Sequence, residues 1–396
     1  VLGAEAVEAM TSRFDAAGYF QSTLPESIDL LRRLVEVNSF TANEAGVRRN
    51  AEIVEEMFEG FRARREGEHL VLTRPGSRRV VLISHLDTVY APDDGFAWRE
   101  EGPRIYGPGV ADIKGGTVVM WRALLALRQF APDAFEGLGW TLLFNASEER
   151  GSAGFAELAR REAAGAEACL AYEPGYPANT LVVARKGSAR FTLRVRGRSA
   201  HSGSRHEEGA NAIVELAGKI LKIAALTDYA RGITTNVGVA RGGTVVNAVP
   251  ESAEALIDLR AKDPDSFEAG KREIRAICRE AEVRSASDGF PCALELEDHH
   301  DYTPMVRNAG TDALFELARG VDPTVEPQER GGSGDVCHVW REAPTLDGLG
   351  PVGDDCHCTG REYVLRDTLA SRALLSYGLF RDVFLSVRNS SSLSRF

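Results

Sequence analysis

The chain has 396 residues, a hydrophobic fraction of 43%, and 47 basic against 58 acidic side chains, a formal charge of −11. That length is ample for a large core in two or three domains. An acidic chain without basic blocks argues against nucleic acid or an anionic membrane as the main partner, and no apolar run reaches the roughly 18 to 20 residues of a spanning helix.

Val1 to Met10 has no basic stretch leading into an apolar core, so no signal peptide is expected there. Leu24 to Phe58 predicts two helices. Pro25-Glu26-Ser27 is a helix start, Ile28, Leu31, Leu34 and Val35 recur at helical spacing, and Val47, Ile53, Val54 and Met57 repeat the pattern. Strands are expected over His69 to Thr73 and, after the turn Pro75-Gly76-Ser77, over Arg79 to Ser84. A loop rich in Pro, Asp and Gly, Ala91 to Gly109, leads into a helix over Lys114 to Phe130. Strand Trp140 to Asn145, helix Gly154 to Ala163 and strand Cys169 to Tyr172 follow. Strands alternating with helices imply an α/β domain with a mixed, mostly parallel sheet and helices on both faces.

Near residue 183 the pattern changes. Phe191, Leu193 and Val195 alternate with polar residues, the period of a half-exposed strand. A helix over Asn211 to Ala225, strands at Thr234 to Ala240 and Glu254 to Ala261, a helix over Pro264 to Glu282 and a strand at Ala293 to Glu297 complete the order β-α-β-β-α-β. That is the order of a ferredoxin-like α+β domain. Residues 184–298 are therefore expected as an insert in an α/β domain made of 1–183 and 299–396. The α/β style returns with helices at Met305 to Ala318 and Asp335 to Trp340, strand Ala343 to Leu349 and terminal helix Leu365 to Phe384. Cys169, Cys278, Cys292, Cys337, Cys356 and Cys358 are scattered without a Cys-x-x-Cys pair, which fits a reducing cytoplasm.

Five places share one arrangement, a strand followed by a metal-competent side chain. They are His85 after Val80-Val81-Leu82-Ile83-Ser84, Asp112 in the glycine-rich Tyr106 to Gly116, Glu148-Glu149 after Leu142 to Ala146, Glu173 after Cys169 to Tyr172, and His357 after Thr345 to Leu349. Open α/β sheets gather ligands at the carboxyl ends of their strands, so residues this far apart can converge. Two histidines and several carboxylates form a nitrogen and oxygen set suited to zinc, with cobalt or manganese as substitutes. Each residue also has a plainer reading. Asp112 can cap the following helix, Glu148-Glu149 can be a solvated turn, Glu173 a turn residue before Pro174-Gly175, and His357 a loop histidine. The glycine loop lacks Gly-Lys-Ser/Thr and dinucleotide spacing, which argues against a phosphate cradle. Cys356 or Cys358 beside His357 makes a poor nucleophile pair, because adjacent side chains rarely face each other productively.

The segments Ser84-His85-Leu86-Asp87-Thr88-Val89, Tyr106 to Gly116, Ser147-Glu148-Glu149-Arg150-Gly151-Ser152, Tyr172-Glu173-Pro174-Gly175 and the late His357 resemble, in order, the motifs of the co-catalytic di-zinc exopeptidases and deacylases. That family includes glutamate carboxypeptidase, acetylornithine deacetylase, succinyl-diaminopimelate desuccinylase and aminoacylase, and the flavour here is nearest the first. The resemblance implies two zinc ions bridged by Asp112, one completed by His85 and Glu173, the other by Glu149 and His357. It makes Asp87 the orienting partner of His85 and Glu148 the general base toward the attacking water. It implies a cis peptide at Asp112-Ile113. In the insert, His201 of Ala200-His201-Ser202-Gly203 would donate to the oxyanion, and Asn247 of Arg241 to Pro250 would approach substrate. Arg330, before Gly331-Gly332-Ser333-Gly334, would clamp a substrate carboxylate. The implied reaction is hydrolysis of an amide beside a free carboxylate, in a small peptide or an N-acyl amino acid, with the insert serving as lid and homodimer surface.

Overall fold

A computed structural model describes residues 16–393 apart from 153 and 178. Residues 1–10, where no signal peptide is expected, lie outside the described residues. The chain forms two compact units, one of 1–183, 307–329 and 338–396, the other of 184–306 and 330–337.

In chain order the elements begin with helices α1 (Leu24–Val35) and α2 (Glu44–Met57) and strands β1 (Arg62–Glu66), β2 (His69–Arg74), β3 (Arg78–His85), β4 (Arg99–Glu101) and β5 (Arg104–Tyr106). Helices α3 (Gly115–Phe130) and α4 (Pro132–Gly137), strand β6 (Leu138–Asn145), helix α5 (Phe155–Ala163) and strands β7 (Ala168–Ala171) and β8 (Thr180–Arg185) follow. Then come β9 (Gly187–Arg196), α6 (Ala212–Ala224), β10 (Thr234–Gly242), β11 (Ser252–Ala261), α7 (Pro264–Ile277) and β12 (Ala293–Tyr302). The chain closes with α8 (Ala309–Val321), β13 (Glu326–Arg330), β14 (Thr345–Leu346), β15 (Gly353–Asp354), β16 (Tyr363–Leu365) and α9 (Thr368–Leu393).

The main sheet of the first unit has the order β1-β2-β6-β3-β7-β14. The pairs β6–β3, β3–β7 and β7–β14 are parallel, while β1–β2 and β2–β6 are antiparallel. Every residue of β6 is buried, as is β3 from Val80 to His85. Strands covered on both faces are mostly apolar, as Val80 to Ile83 of β3 and the Leu, Trp and Phe residues of β6 are. Helix α1 has Glu26 in its first turn and Arg32 and Arg33 in its last, charges that suit the two ends of its dipole, and Pro25 at its start needs no amide partner. It buries Ile28, Leu31, Leu34 and Val35, each large aliphatic side chain contributing roughly 1.5–3 kcal/mol. Helix α3 starts at two glycines for a steric reason: a Cβ on Gly116 would lie 2.0 Å from the Tyr172 carbonyl oxygen. The closeness lets the start of α3 lie against the end of β7.

The second unit is an antiparallel sheet of order β10-β11-β9-β12. Phe191, Leu193, Val195, Ile257 and Leu259 pack with Leu216, Ile223, Phe267 and Ile274 of α6 and α7. The other face is charged, with Arg194 paired to Glu254 and Glu297.

Three differences from the expected elements have physical causes. The expected domain edge at 298 falls inside β12, which stays paired to β9 as far as Tyr302 opposite Ser188. The polar run Glu297-Asp298-His299-His300-Asp301 hides that half of the strand. Residues 330–337 group with the second unit: Lys186 N–H donates to the Arg330 carbonyl (2.9 Å), and Arg185 Nη1 donates to the Gly332 and Ser333 carbonyls (3.2 and 3.4 Å). The helix expected to reach Glu282 stops at Ile277, because buried Glu215 accepts the amides of Glu282 (2.8 Å) and Val283 (2.6 Å) and holds that segment out of the helix.

Candidate metal centre

Strands β3, β6 and β7 run parallel, so their carboxyl ends share one edge of the sheet. His85 pairs with Asn145 and Ile83 with Ala171. His85 therefore leaves that edge beside the turn carrying Glu148 and Glu149, and beside Glu173 two residues after β7. Asp112 follows Gly109, whose left-handed φ of 78° lets the loop turn. The Asp112–Ile113 peptide is cis. His357 sits in the turn after β15 with φ of 63°.

These side chains meet. His85 Nε2 is 2.9 Å from Asp112 Oδ1 and 4.0 Å from Glu173 Oε1. His357 Nε2 is 3.3 Å from both Asp112 Oδ2 and Glu149 Oε2. Asp112 thus offers one oxygen to each histidine. One ligand atom from each of His85, Asp112 and Glu149 lies within 4.8 Å of the other two.

The electrostatics suit a cation. Burial opposes charge on His85, but hydrogen bonds to Asp112 and Asp87 outweigh it and hold its pKa well above the ordinary value. Hydrogen bonds to Asp112 and Glu149 push His357 up to about 11. Burial would raise Asp112, yet its bonds to His357 and His85 hold it below the usual carboxylate range. Burial, then the charge of Asp112, raises Glu149. Glu149 Oε1 is buried without a hydrogen-bond partner among the described residues, a costly state for a carboxylate. An orphaned buried oxygen among two imidazoles and two further carboxylates is the donor set a divalent metal satisfies, so the residues fit such an ion.

Asp87 does more than orient His85. The His85 Nδ1 atom is 2.9 Å from the Asp87 backbone carbonyl and 3.4 Å from its carboxylate. The carboxylate itself accepts the amides of Glu148 (3.1 Å) and Glu149 (3.2 Å) and the Thr41 hydroxyl (2.7 Å). Sequence reasoning missed Thr41 and Glu362. Glu362 is fully buried and accepts the amides of Gly109 (3.3 Å), Ala111 (2.8 Å) and Asp112 (3.0 Å). Burial pushes its pKa up to about 7. Nothing in Thr359-Gly360-Arg361-Glu362 marks it as special.

The remaining expected residues lie in the second unit. His201 is exposed, and its Nδ1 accepts the amides of Gly203 (3.1 Å) and Ser204 (3.2 Å), which leaves the proton on Nε2. The Asn247 carbonyl accepts the Ser202 amide at 3.1 Å, and His201 bridges to Ala248, so the two segments lie side by side. A cavity of about 420 Å³ next to them is lined by Ser202, His206, Asn211, Val246 and Pro250. Arg330 is half-buried at the end of β13.

Comparison with known proteins agrees with this picture. The peptidase dimerisation domain matches residues 183–286. Carboxypeptidase G2 of a Pseudomonas species is 27% identical over 91% of this chain and 89% of its own length. A probable carboxypeptidase of Aspergillus clavatus is 31% identical over 68% of this chain and 71% of its own. In fold, an M20 family metallo-carboxypeptidase of Sulfolobus solfataricus superposes with a TM-score of 0.68 at 18% identity, covering 91% of this chain and 99% of that one. The sheet, the insert and these relatives together define a metal-dependent hydrolase of amide bonds, an exopeptidase or deacylase. The chain belongs to the M20 peptidase family.

Proposed function

We propose that this hydrolase is a carboxypeptidase that removes a C-terminal amino acid, glutamate foremost, from a small peptide or N-acyl amino acid. The observation that carries the reading is the convergence of His85 at the end of β3 and Glu149 after the parallel strand β6, with Asp112 from the loop after β5, around a buried Glu149 oxygen that has no hydrogen-bond partner among the described residues. Asp112 would bridge two Zn²⁺ ions, with Co²⁺ or Mn²⁺ as substitutes. His85 and Glu173 would complete one, and Glu149 and His357 the other. Bound metal would supply Lewis acidity toward the scissile carbonyl and lower the pKa of water. Glu148 takes the proton from the attacking water and returns it to the leaving nitrogen. Asp87 holds the amides of Glu148 and Glu149 and so aims both side chains. His201 donates from Nε2 to the developing oxyanion, Asn247 approaches the substrate, and Arg330 clamps its carboxylate.

The same centre serves an N-acyl-amino-acid deacylase, which differs only in which side of the amide is recognised. A panel decides between them. With metal-loaded enzyme, kcat/KM for acyl-glutamates and peptides ending in glutamate is expected to exceed that for N-acetyl amino acids lacking an acidic side chain by about 10-fold or more, the worth of one well-placed polar contact. The reverse order favours the deacylase, and comparable removal of many C-terminal residues sinks the glutamate preference. Arg330→Ala should raise KM more than it lowers kcat if that residue binds the carboxylate.

The second unit is proposed to join two copies. Strand β10 is a largely exposed edge, and Ile213, Val214 and Leu221 of α6 are exposed apolar residues beside it. Sedimentation of the purified protein should give twice the chain mass of 43.0 kDa, and a monomer would refute this. No described helix is long and apolar enough to cross a membrane. None of the six cysteines is joined in a disulfide, which supports a cytoplasmic setting that cell fractionation tests.

A further inference from the structure

Four successive backbone amides lead into the turn that carries Glu148 and Glu149, and each is taken by a side chain rather than by a ladder partner. His69 Nδ1 accepts the amide of Ala146 (3.2 Å), and Asn145 Oδ1 accepts that of Ser147 (3.0 Å). The two carboxylate oxygens of Asp87 accept those of Glu148 (3.1 Å) and Glu149 (3.2 Å). The turn is then closed by Ser152, whose amide donates to the Ser147 carbonyl (2.8 Å) and whose hydroxyl accepts from Asn145 Nδ2 (2.6 Å).

His69 has a defined place in this chain of contacts. It is the first residue of β2, and the pairing of Leu70 with Phe144 sets it level with Asn145, the last residue of β6. Beyond that point the Ala146 amide has no strand to bond. His69 is 3% exposed, and its ring meets Phe155 edge-on at 5.2 Å. Because Nδ1 accepts, the proton resides on Nε2. A buried donor left without its acceptor would be costly, so the Ala146 amide has reason to stay where His69 holds it.

We propose that His69 is a positioning residue for the reaction: it fixes the first amide of the turn, and through it the aim of the Glu148 carboxylate. The inference rests on Glu148 being the general base. It predicts that the acceptor atom at the Nδ1 position matters, and the ring does not. Asparagine places its Oδ1 at that position, glutamine reaches to the Nε2 position instead, and phenylalanine fills the space with no acceptor.

The test uses the full-length metal-loaded protein and the variants His69→Asn, His69→Gln and His69→Phe. In His69→Phe, kcat should fall about 10- to 100-fold with KM within about twofold, the usual cost of losing a residue that orients a catalytic group. His69→Asn should recover kcat to within about fivefold of wild type, and His69→Gln should not. Hydrogen exchange of the 146–149 amides gives a readout independent of turnover, with faster exchange in His69→Phe and near-native exchange in His69→Asn. Wild-type kcat and exchange in His69→Phe would overturn the proposal. So would equal losses in His69→Asn and His69→Phe at matched unfolding midpoints. If His69→Phe does not fold, the Asn and Gln variants decide, and indistinguishable values for those two refute it. Failure of the underlying reading looks different: Glu148→Ala would then keep its turnover, while the exchange data still judge His69.

Discussion

Glu148→Ala is expected to keep its metal and lose turnover, with kcat lower by about 10²- to 10⁴-fold. That loss corresponds to about 2.7–5.4 kcal/mol of transition-state stabilisation. The structure makes the substitution a clean one. The backbone of residue 148 is fixed by its amide bond to Asp87, which the change leaves in place, and Glu149 is fixed by a separate bond to the same carboxylate. The side chain of residue 148 is only half-buried, so its removal opens no deep cavity. Steady-state kinetics on protein of measured metal content separates the two quantities. A variant with wild-type kcat would remove Glu148 from the mechanism, and one that had lost its metal would make Glu148 a ligand.

Asp112→Ala should do the reverse and lose the metal. Asp112 is the carboxylate that faces both histidines, at 2.9 Å from one and 3.3 Å from the other. Residues that only orient a ligand cost about 10- to 100-fold in metal affinity, so loss of a shared ligand should exceed about 100-fold. Equilibrium dialysis against zinc, with about two ions per chain for wild type, reads this directly. Retention of both ions would refute the bridging role.

The metal-free protein carries a further signature of the same contact. His357 is raised from 6.5 to about 11 by Asp112 and Glu149. A raised folded-state pKa stabilises the fold fully below the unfolded value and less as pH climbs toward the folded one. Metal-free wild type should therefore lose stability between pH 6.5 and about 11, and Asp112→Ala should flatten that slope. His357 is more than half exposed, so the effect is modest.

Much of this was legible in the sequence because long elements carry periodic signals. Val80 to Ser84 and Trp140 to Asn145 are mostly apolar runs long enough to mark strands, and His85, Glu149 and Glu173 stand just after such runs. What escaped has short or purely relational signals. Strands β4, β5, β15 and β16 have two or three residues each, too few to show a period. The helix expected from Met305 begins at Ala309 because Asn308 caps it, its side chain accepting the amides of Gly310 (2.8 Å) and Thr311 (3.0 Å). A cap signal outweighed the apolar spacing there. His69, Asn145 and Glu362 act by accepting hydrogen bonds from backbone amides distant in sequence or local to a turn, and Thr41 acts by donating one to Asp87. No spacing rule reveals an acceptor whose donor is a backbone amide brought near only by folding.

Glu362 has a consequence for how the protein is made. It anchors the amides of Gly109, Ala111 and Asp112, some 250 positions earlier in the chain. His357 comes from the same late stretch. A ribosome delivers the amino-terminal part first, and contacts this distant must wait until the later segment has been made. The nascent chain can lay down β3, β6 and β7 and present His85, Glu149 and Glu173 while the loop that carries Asp112 still lacks its anchor. The proposed centre is thus completed only once residues 357–362 have been made, and a message cut short before residue 357 would yield most of the sheet without His357 or the Glu362 anchor.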